Sequence, residues 1–319
     1  MSKVFGNICS GVNSKTAVLA SLAGFLLCPL GFSAQLAPGA IAAAANGEVF
    51  ISSPNTGSIN VYDSNGTLHL QFGSKGSGAG QFNGPSGMAV LNNGNIAVVD
   101  TGNSRVEVFD PNGGFILQFG TPGSGYGPQF TLPTGIAATS NQILVADTGN
   151  NRISAFDYSG NFISQFGSSG SGYGPQFNQP TGIAVTNNQI LVVDTGNNRI
   201  SVFDLNGNFS FQFGTQGSGY GPQFNRPTGI AVTSNQILVT DTGNNRVSVF
   251  DHNGNFSNQF GTPGSGYGPY FNQPTGISVV PATGTIEVID AGNNRVIIFD
   301  MYGNFRSLFD LPQLIQVPI

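Results

Sequence analysis

Between Pro180 and Gly214 the chain alternates short apolar runs with Gly- and Asn-rich breaks. Gly182-Ile183-Ala184-Val185 is the first run, and Ile190 to Val193 the second, ending at Asp194. Arg199-Ile-Ser-Val-Phe203 and Phe209-Ser-Phe-Gln-Phe213 then alternate apolar and polar positions. Short β-prone runs with a period of two, bounded by turn residues, predict strands, and no stretch carries a helical period. Asn206-Gly207, between the third and fourth runs, is a strong signal for a tight hairpin. The segment is therefore predicted to be a four-stranded antiparallel meander.

The same grammar recurs. Asp-Thr-Gly-Asn opens at Asp100, Asp147, Asp194 and Asp241, each 47 residues after the last, and Asp290 opens Asp-Ala-Gly-Asn 49 residues on. Counting back 47 from Asp100 reaches Ser53, the head of a degenerate copy, so the units number six. A sheet with two apolar faces must bury both, and radial stacking of copies into a ring does so while leaving few free edges. The fold class predicted is all-β, a six-bladed β-propeller of four-stranded antiparallel blades. An open β-solenoid would have shorter repeats without paired hairpins.

Phe224-Asn-Arg-Pro-Thr-Gly-Ile-Ala-Val232, Asp241-Thr-Gly-Asn-Asn-Arg246, Val249-Phe-Asp251 and Phe260-Gly261 resemble the NHL-repeat family, of the secreted bacterial type. The resemblance runs from about residue 36 to 309, with Asn-Asn in place of the family's Asn-His. It implies a six-bladed ring. It also brings in RNA-binding and ubiquitin-ligase-associated relatives, and, among wider six-bladed propellers, metal-dependent lactonases and a peptide-amidating lyase.

The first 33 residues read differently. Lys3 and Lys15 precede an apolar run from Ala17 to Leu30, and Gly31 and Ser33 suit a cut before Ala34. This layout predicts a secretory signal, with an uncleaved anchor as the alternative and the membrane's sole attachment point. The chain is thus expected to be exported: secreted, periplasmic or on the cell surface. Residues 34–310 are assigned to the propeller and 311–319 to a C-terminal tail. Cys9 and Cys28 both lie in the signal segment, so the mature chain would have no disulfide or thiolate metal site. Loss of Lys3 and Lys15 takes the formal charge from −5 to −7, and charged residues make up 8% of the chain. Nucleic acid is excluded as a partner, because phosphate binding needs a basic surface.

Pro38-Gly-Ala-Ile-Ala42 aligns with Pro85-Ser-Gly-Met-Ala89, which gives blade 1 its own first strand and closes the ring by face packing. The alternative is a tail strand, Leu311 to Val317, clasped onto blade 1. It would have to cross roughly 14 Å from outer to inner strand with few linking residues.

Two loop series are predicted on one face, around the channel mouth, where a rigid scaffold presents binding residues. Asp100 with Arg105, Asp147 with Arg152, Asp194 with Arg199, Asp241 with Arg246 and Asp290 with Arg295 read as structural pairs, since Ser53 and Ser58 lose both partners together. The Asp series at 63, 110, 157, 204, 251 and 300 reads as turn caps. Tyr126, Tyr173, Tyr220 and Tyr267 recur at one crossover position and are the candidate ligand contacts, because tyrosine gives large contact area at low entropy cost. Packing of each ring on a neighbouring Pro or Phe, such as Pro128 and Phe130, is the plainer alternative. Phe130, Phe177, Phe224 and Phe271 read as core.

Two histidines, His69 and His252, are placed on an outer strand and an opposite-face turn, and Glu48, Glu107 and Glu287 on unrelated strand positions. These assemble no catalytic triad or metal set, so no enzyme and no cofactor is expected. Ca2+ is the one cation that Asp- and Asn-lined loops could take. The expected function is a monomeric, non-catalytic binding scaffold for a peptide, protein or glycan. A self-assembling envelope or surface protein is the alternative, and a metal-dependent hydrolase or lyase ranks last.

Overall fold

The computed structural model describes residues 39–311 apart from Asn65. The expected signal segment, both cysteines and nearly all of the proposed C-terminal clasp therefore lie outside the described residues. Within them are six four-stranded sheets, each in simple sequential order. Blade 4 is typical, with strands Pro180–Val185, Ile190–Asp194, Arg199–Phe203 and Phe209–Phe213 pairing antiparallel.

The second strands are buried along nearly their whole length, only Ser53 and Gln142 at strand ends being half-buried, because blades cover both faces. Its turn to the third strand is a single 3-10 turn, Thr195–Asn197 in blade 4, closed by Asn198 at φ 55°. That left-handed conformation is one that asparagine tolerates better than most residues, which accounts for the second Asn of Asp-Thr-Gly-Asn-Asn. The third and fourth strands are joined through Gly207 at φ 82°, with the Gly207 amide donating to the Asp204 carbonyl.

The crossovers contain an element with no counterpart in the sequence reading. Two residues leaving one blade pair in parallel with two entering the next, as Thr121–Pro122 does with Gln129–Phe130. The entering phenylalanines, Phe130, Phe177, Phe224 and Phe271, are all but fully buried, as is Phe82. Each contacts the phenylalanine ending the adjacent third strand, Phe177 lying 5.6 Å from Phe203 between ring centres.

The core sits between blades. Ala137, Leu144, Ala146, Ile153 and Ala155 of blade 3, for example, pack with Ile183, Ile190, Val192 and Phe203 of blade 4. Blade 1 keeps its own first strand, Ile41–Ala43. Ile41, Val49, Ile51 and Tyr62 meet Val280, Ile289, Ala291 and Val296 of blade 6, so the ring closes by packing of faces.

At the axis the first strands come very close. A methyl group on Gly135 would overlap the Thr181 carbonyl oxygen, and one on Gly229 the Thr275 carbonyl oxygen, so only glycine fits. Hydroxyl groups of the 3-10 turns reach the entry to the next blade's first strand, all in one direction around the ring. The Thr148 hydroxyl donates to the Pro180 carbonyl (2.7 Å), Thr195 to Pro227 (2.8 Å) and Thr242 to Pro274 (2.7 Å). The chain of hydroxyls stops at blade 6, where Ala291 replaces threonine and the buried Thr275 hydroxyl has no partner.

Candidate functional site

The axial opening is a cavity of ≈ 280 Å3 lined by four Thr-Gly-Ile triplets, such as Thr181, Gly182 and Ile183, with Gly39-Ala-Ile41 and Ser86-Gly-Met88 in blades 1 and 2, and with no charged side chain. The hydroxyls there are largely committed to neighbouring blades, so the opening offers little beyond small apolar groups and backbone.

The Asp/Arg pairs lie further out and organise the crossovers. In blade 4 Arg199 Nε donates to Asp194 Oδ2 at 2.8 Å, and Asn197 Nδ2 donates to the same oxygen at 2.7 Å. Asp194 Oδ1 accepts the Asn178 amide of the incoming crossover at 2.7 Å. The other end of the guanidinium donates to the Gly172 and Gln176 carbonyls, 2.9 and 2.7 Å away. Arg152, Arg246 and Arg295 hold Gly125, Gly219 and Gly266 in the same way. Each of these glycines immediately precedes a candidate tyrosine. The carboxylates of Asp100, Asp147, Asp194, Asp241 and Asp290 are fully buried. Burial pushes the Asp194 and Asp241 carboxyls above the ordinary aspartate value, against the pull of the hydrogen bonds and the arginine.

Tyr126, Tyr173, Tyr220 and Tyr267 are 77, 76, 73 and 75% exposed. They do not surround the axial opening as expected. Each loop folds back over the outer edge of the next blade, because its ends are tied by the parallel strand pair and by the arginine. There each ring meets, edge to face, the phenylalanine that opens the next blade's fourth strand: Tyr126 with Phe162, Tyr173 with Phe209, Tyr220 with Phe256 and Tyr267 with Phe305, at 5.1–5.3 Å. Those phenylalanines in turn sit edge-on to the buried Phe156, Phe203, Phe250 and Phe299. The supports are thus Phe162, Phe209, Phe256 and Phe305, not Pro128 and Phe130. The first copy, with Ala79, lacks the post and leaves its phenylalanine, Phe115, 41% exposed.

A glutamine fixes the loop from inside, the Gln176 side-chain oxygen accepting the Gly172 amide at 2.8 Å. The last crossover carries Tyr270 at this position.

On the opposite face Asp110, Asp157, Asp204, Asp251 and Asp300 accept amides of their hairpin turns. The Asn161 side chain, then its amide, holds the Asp157 carboxyl below its usual value. His69 contacts Glu48 at 3.1 Å, and His252 contacts the Thr233 carbonyl at 3.2 Å, so the two histidines have separate surroundings. Among the described residues, no group of three His, Cys, Asp or Glu side chains could hold a metal ion.

Two glutamates escaped the sequence reading as special positions. Glu107 is buried beside Arg105 and accepts the Gly80 amide at 2.9 Å; burial, outweighing the arginine, pushes its carboxyl up to about 7. Glu287 is buried in blade 6 and is likewise pushed up to about 7.

Residues 82–109, 130–156 and 177–203 match the NHL repeat, and residues 222–317 match a family described as 6-bladed beta-propeller. Among curated proteins none matches the chain in sequence. Similar solved structures include a streptogramin B lyase, with a TM-score of 0.62 and 16% identity, covering 87% of this chain and 84% of that one. Virginiamycin B lyase from Staphylococcus aureus gives 0.61 and 14%, covering 88 and 86%. A chain of a nidogen/laminin complex gives 0.54 and 17%, covering 71 and 80%. At such identity these likenesses carry the fold alone. They nevertheless correct the expectation that the chain is not an enzyme, because two of these structures are lyases on the same architecture. Absence of a familiar triad in the sequence is therefore no ground for excluding catalysis. The chain is a six-bladed β-propeller that carries NHL repeats.

Proposed function

We propose that this propeller recognises a peptide, protein or glycan through the tyrosine posts on its rim. The observation that carries the reading is the combination of exposure and rigidity at Tyr126, Tyr173, Tyr220 and Tyr267. Each ring is about three quarters exposed yet stands on a phenylalanine pair reaching into the core. An aromatic side chain held in place before binding loses little entropy on contact, which is what makes tyrosine effective in recognition surfaces. The buried Asp/Arg pairs serve this surface by fixing the loop carbonyl next to each tyrosine. With export, as the N-terminal pattern predicts, the ligand would be met outside the cytoplasm.

The test is binding of the full chain to glycan and peptide arrays, beside a variant with all four tyrosines changed to alanine. Each post is expected to contribute about 1 kcal/mol or more to binding, so single variants should weaken binding several-fold and the fourfold variant should abolish it. Loss of each edge-on contact should cost less than about 1.5 kcal/mol of stability, leaving the fold intact by circular dichroism. Equal binding by the parent and the fourfold variant would overturn the reading.

A further inference from the structure

The blade interfaces share a pair of facing positions. One lies in a blade's second strand and holds Phe50, Ala97, Leu144, Leu191 and Leu238 in blades 1 to 5. The other ends the third strand of the next blade and holds Phe109, Phe156, Phe203, Phe250 and Phe299. In each case the two residues belong to one hydrophobic cluster. At the seam between blades 6 and 1 the same two positions are Glu287 and Tyr62, both changed to polar residues.

Both are buried, 7 and 3% exposed; Glu287 Oε2 lacks a hydrogen-bond partner, and the Tyr62 hydroxyl makes no hydrogen bond of good geometry, although the Asn60 side chain lies close enough to offset part of the upward push of burial on it. Alternation along the strand turns Glu287 to blade 1, since Ile286 and Val288 pack against blade 5 while Ile289 packs with Tyr62. The cross-strand neighbours of Glu287 are Ser278 and Ile298. From blade 1 the same face presents Val49, Ile51, Asn60 and Tyr62. Asn60 Oδ1 is taken by Gln71 Nε2 at 2.8 Å. The charged groups further out on these two faces are occupied elsewhere, His69 with Glu48 and Asp300 with its own turn amides. Burial alone raises the Glu287 carboxyl, with no charged neighbour contributing.

We infer that Glu287 and Tyr62 form a polar latch that marks the first and last blades for each other, the tyrosine hydroxyl donating to the carboxyl through one buried water. Repeats this alike invite wrong closure, in which blade 6 packs on a phenylalanine-bearing face of a second copy. Against any of those faces Glu287 would be buried with no partner, which is unfavourable. Only Tyr62 occupies the matching position with a hydroxyl. An apolar pair would bind at least as well but would not discriminate, as with buried polar groups that set register elsewhere.

The latch has a pH signature. A carboxyl that is harder to ionise in the folded chain binds more protons than in the unfolded one, so its contribution is full below the ordinary glutamate value and falls as pH rises toward 7.

The experiment compares four full-length variants by urea unfolding and by light scattering after refolding. Tyr62→Phe leaves the carboxyl alone and is expected to destabilise the ring, more at pH 7.5 than at pH 5. Glu287→Leu with Tyr62→Phe restores the apolar pattern of the other interfaces. It should unfold no earlier than the parent, yet yield at least threefold more dimer and larger species on refolding. Glu287→Gln should stay monomeric and lose the Glu287 share of the pH slope between 4.5 and 7. Glu287→Leu alone completes the cycle. Strict additivity of the two single substitutions, or a double variant that refolds with no more dimer than the parent, would overturn the latch.

Discussion

An Asp194→Ala chain is expected to lose about 3–5 kcal/mol of stability, because Arg199 then stays buried with its charge uncompensated. Asp194 is fully buried and accepts from Arg199, Asn197 and the Asn178 amide at once, so its removal orphans three donors in one place. Urea unfolding measures the loss. The effect should be local as well: Tyr173, whose loop hangs from Arg199 through the Gly172 carbonyl, should lose its fixed position, visible as fast amide exchange over residues 170–176. A double change of Asp194→Ala with Arg199→Met should recover part of the loss, since it removes the buried charge. Blade 1 supports this, having Ser53 and Ser58 at the two positions and keeping its sheet. An unchanged urea midpoint for Asp194→Ala would show that the pair contributes nothing to the fold.

Gly135→Ala is expected to be nearly as damaging, about 3 kcal/mol, by crowding rather than charge. The added methyl would meet the Thr181 carbonyl oxygen, and that oxygen belongs to the backbone of the next blade's first strand, which cannot give way without shifting blade 4. Gly127→Ala is the control. It has nothing within 4 Å of the added carbon, and carries only the strain of φ +123°. Thermal melts should therefore rank Gly135→Ala well below Gly127→Ala, and equal melting temperatures would remove the steric account of the axial glycines.

Much of this ring could be read from the chain because its signals are local. Asn206-Gly207 marks a hairpin by its own conformational freedom, and Asp194 and Arg199 are five residues apart across a turn. The position of the tyrosine loops is not legible in the chain, for the opposite reason. Nothing in Gly-Ser-Gly-Tyr-Gly-Pro says that the segment folds back over an outer strand; that follows from the distant Phe209 and from carbonyl contacts to an arginine 27 residues away. The parallel pairs, such as Ser168–Ser169 with Gln176–Phe177, are too short to leave a pattern. Glu287 was visible as a residue, and so was Tyr62. Their meeting required the ring to be closed, which joins positions at opposite ends of the chain. The lack of a familiar residue set carries no weight against catalysis, since lyases occur on the same fold.

The one-way run of threonine hydroxyls also has a consequence for how the molecule breathes. It begins in blade 2, where the Thr101 hydroxyl donates to the Pro133 carbonyl, and it ends at Ala291. Blade 1, with Gly39 and Pro54 at the corresponding positions, takes no part in it. A ring has no intrinsic end, but this inner hoop does, and blade 1 fills the gap. Sub-global opening should therefore begin there, with amides of strands Val49–Ser53 and Ser58–Tyr62 exchanging with solvent before those of blades 3 to 5.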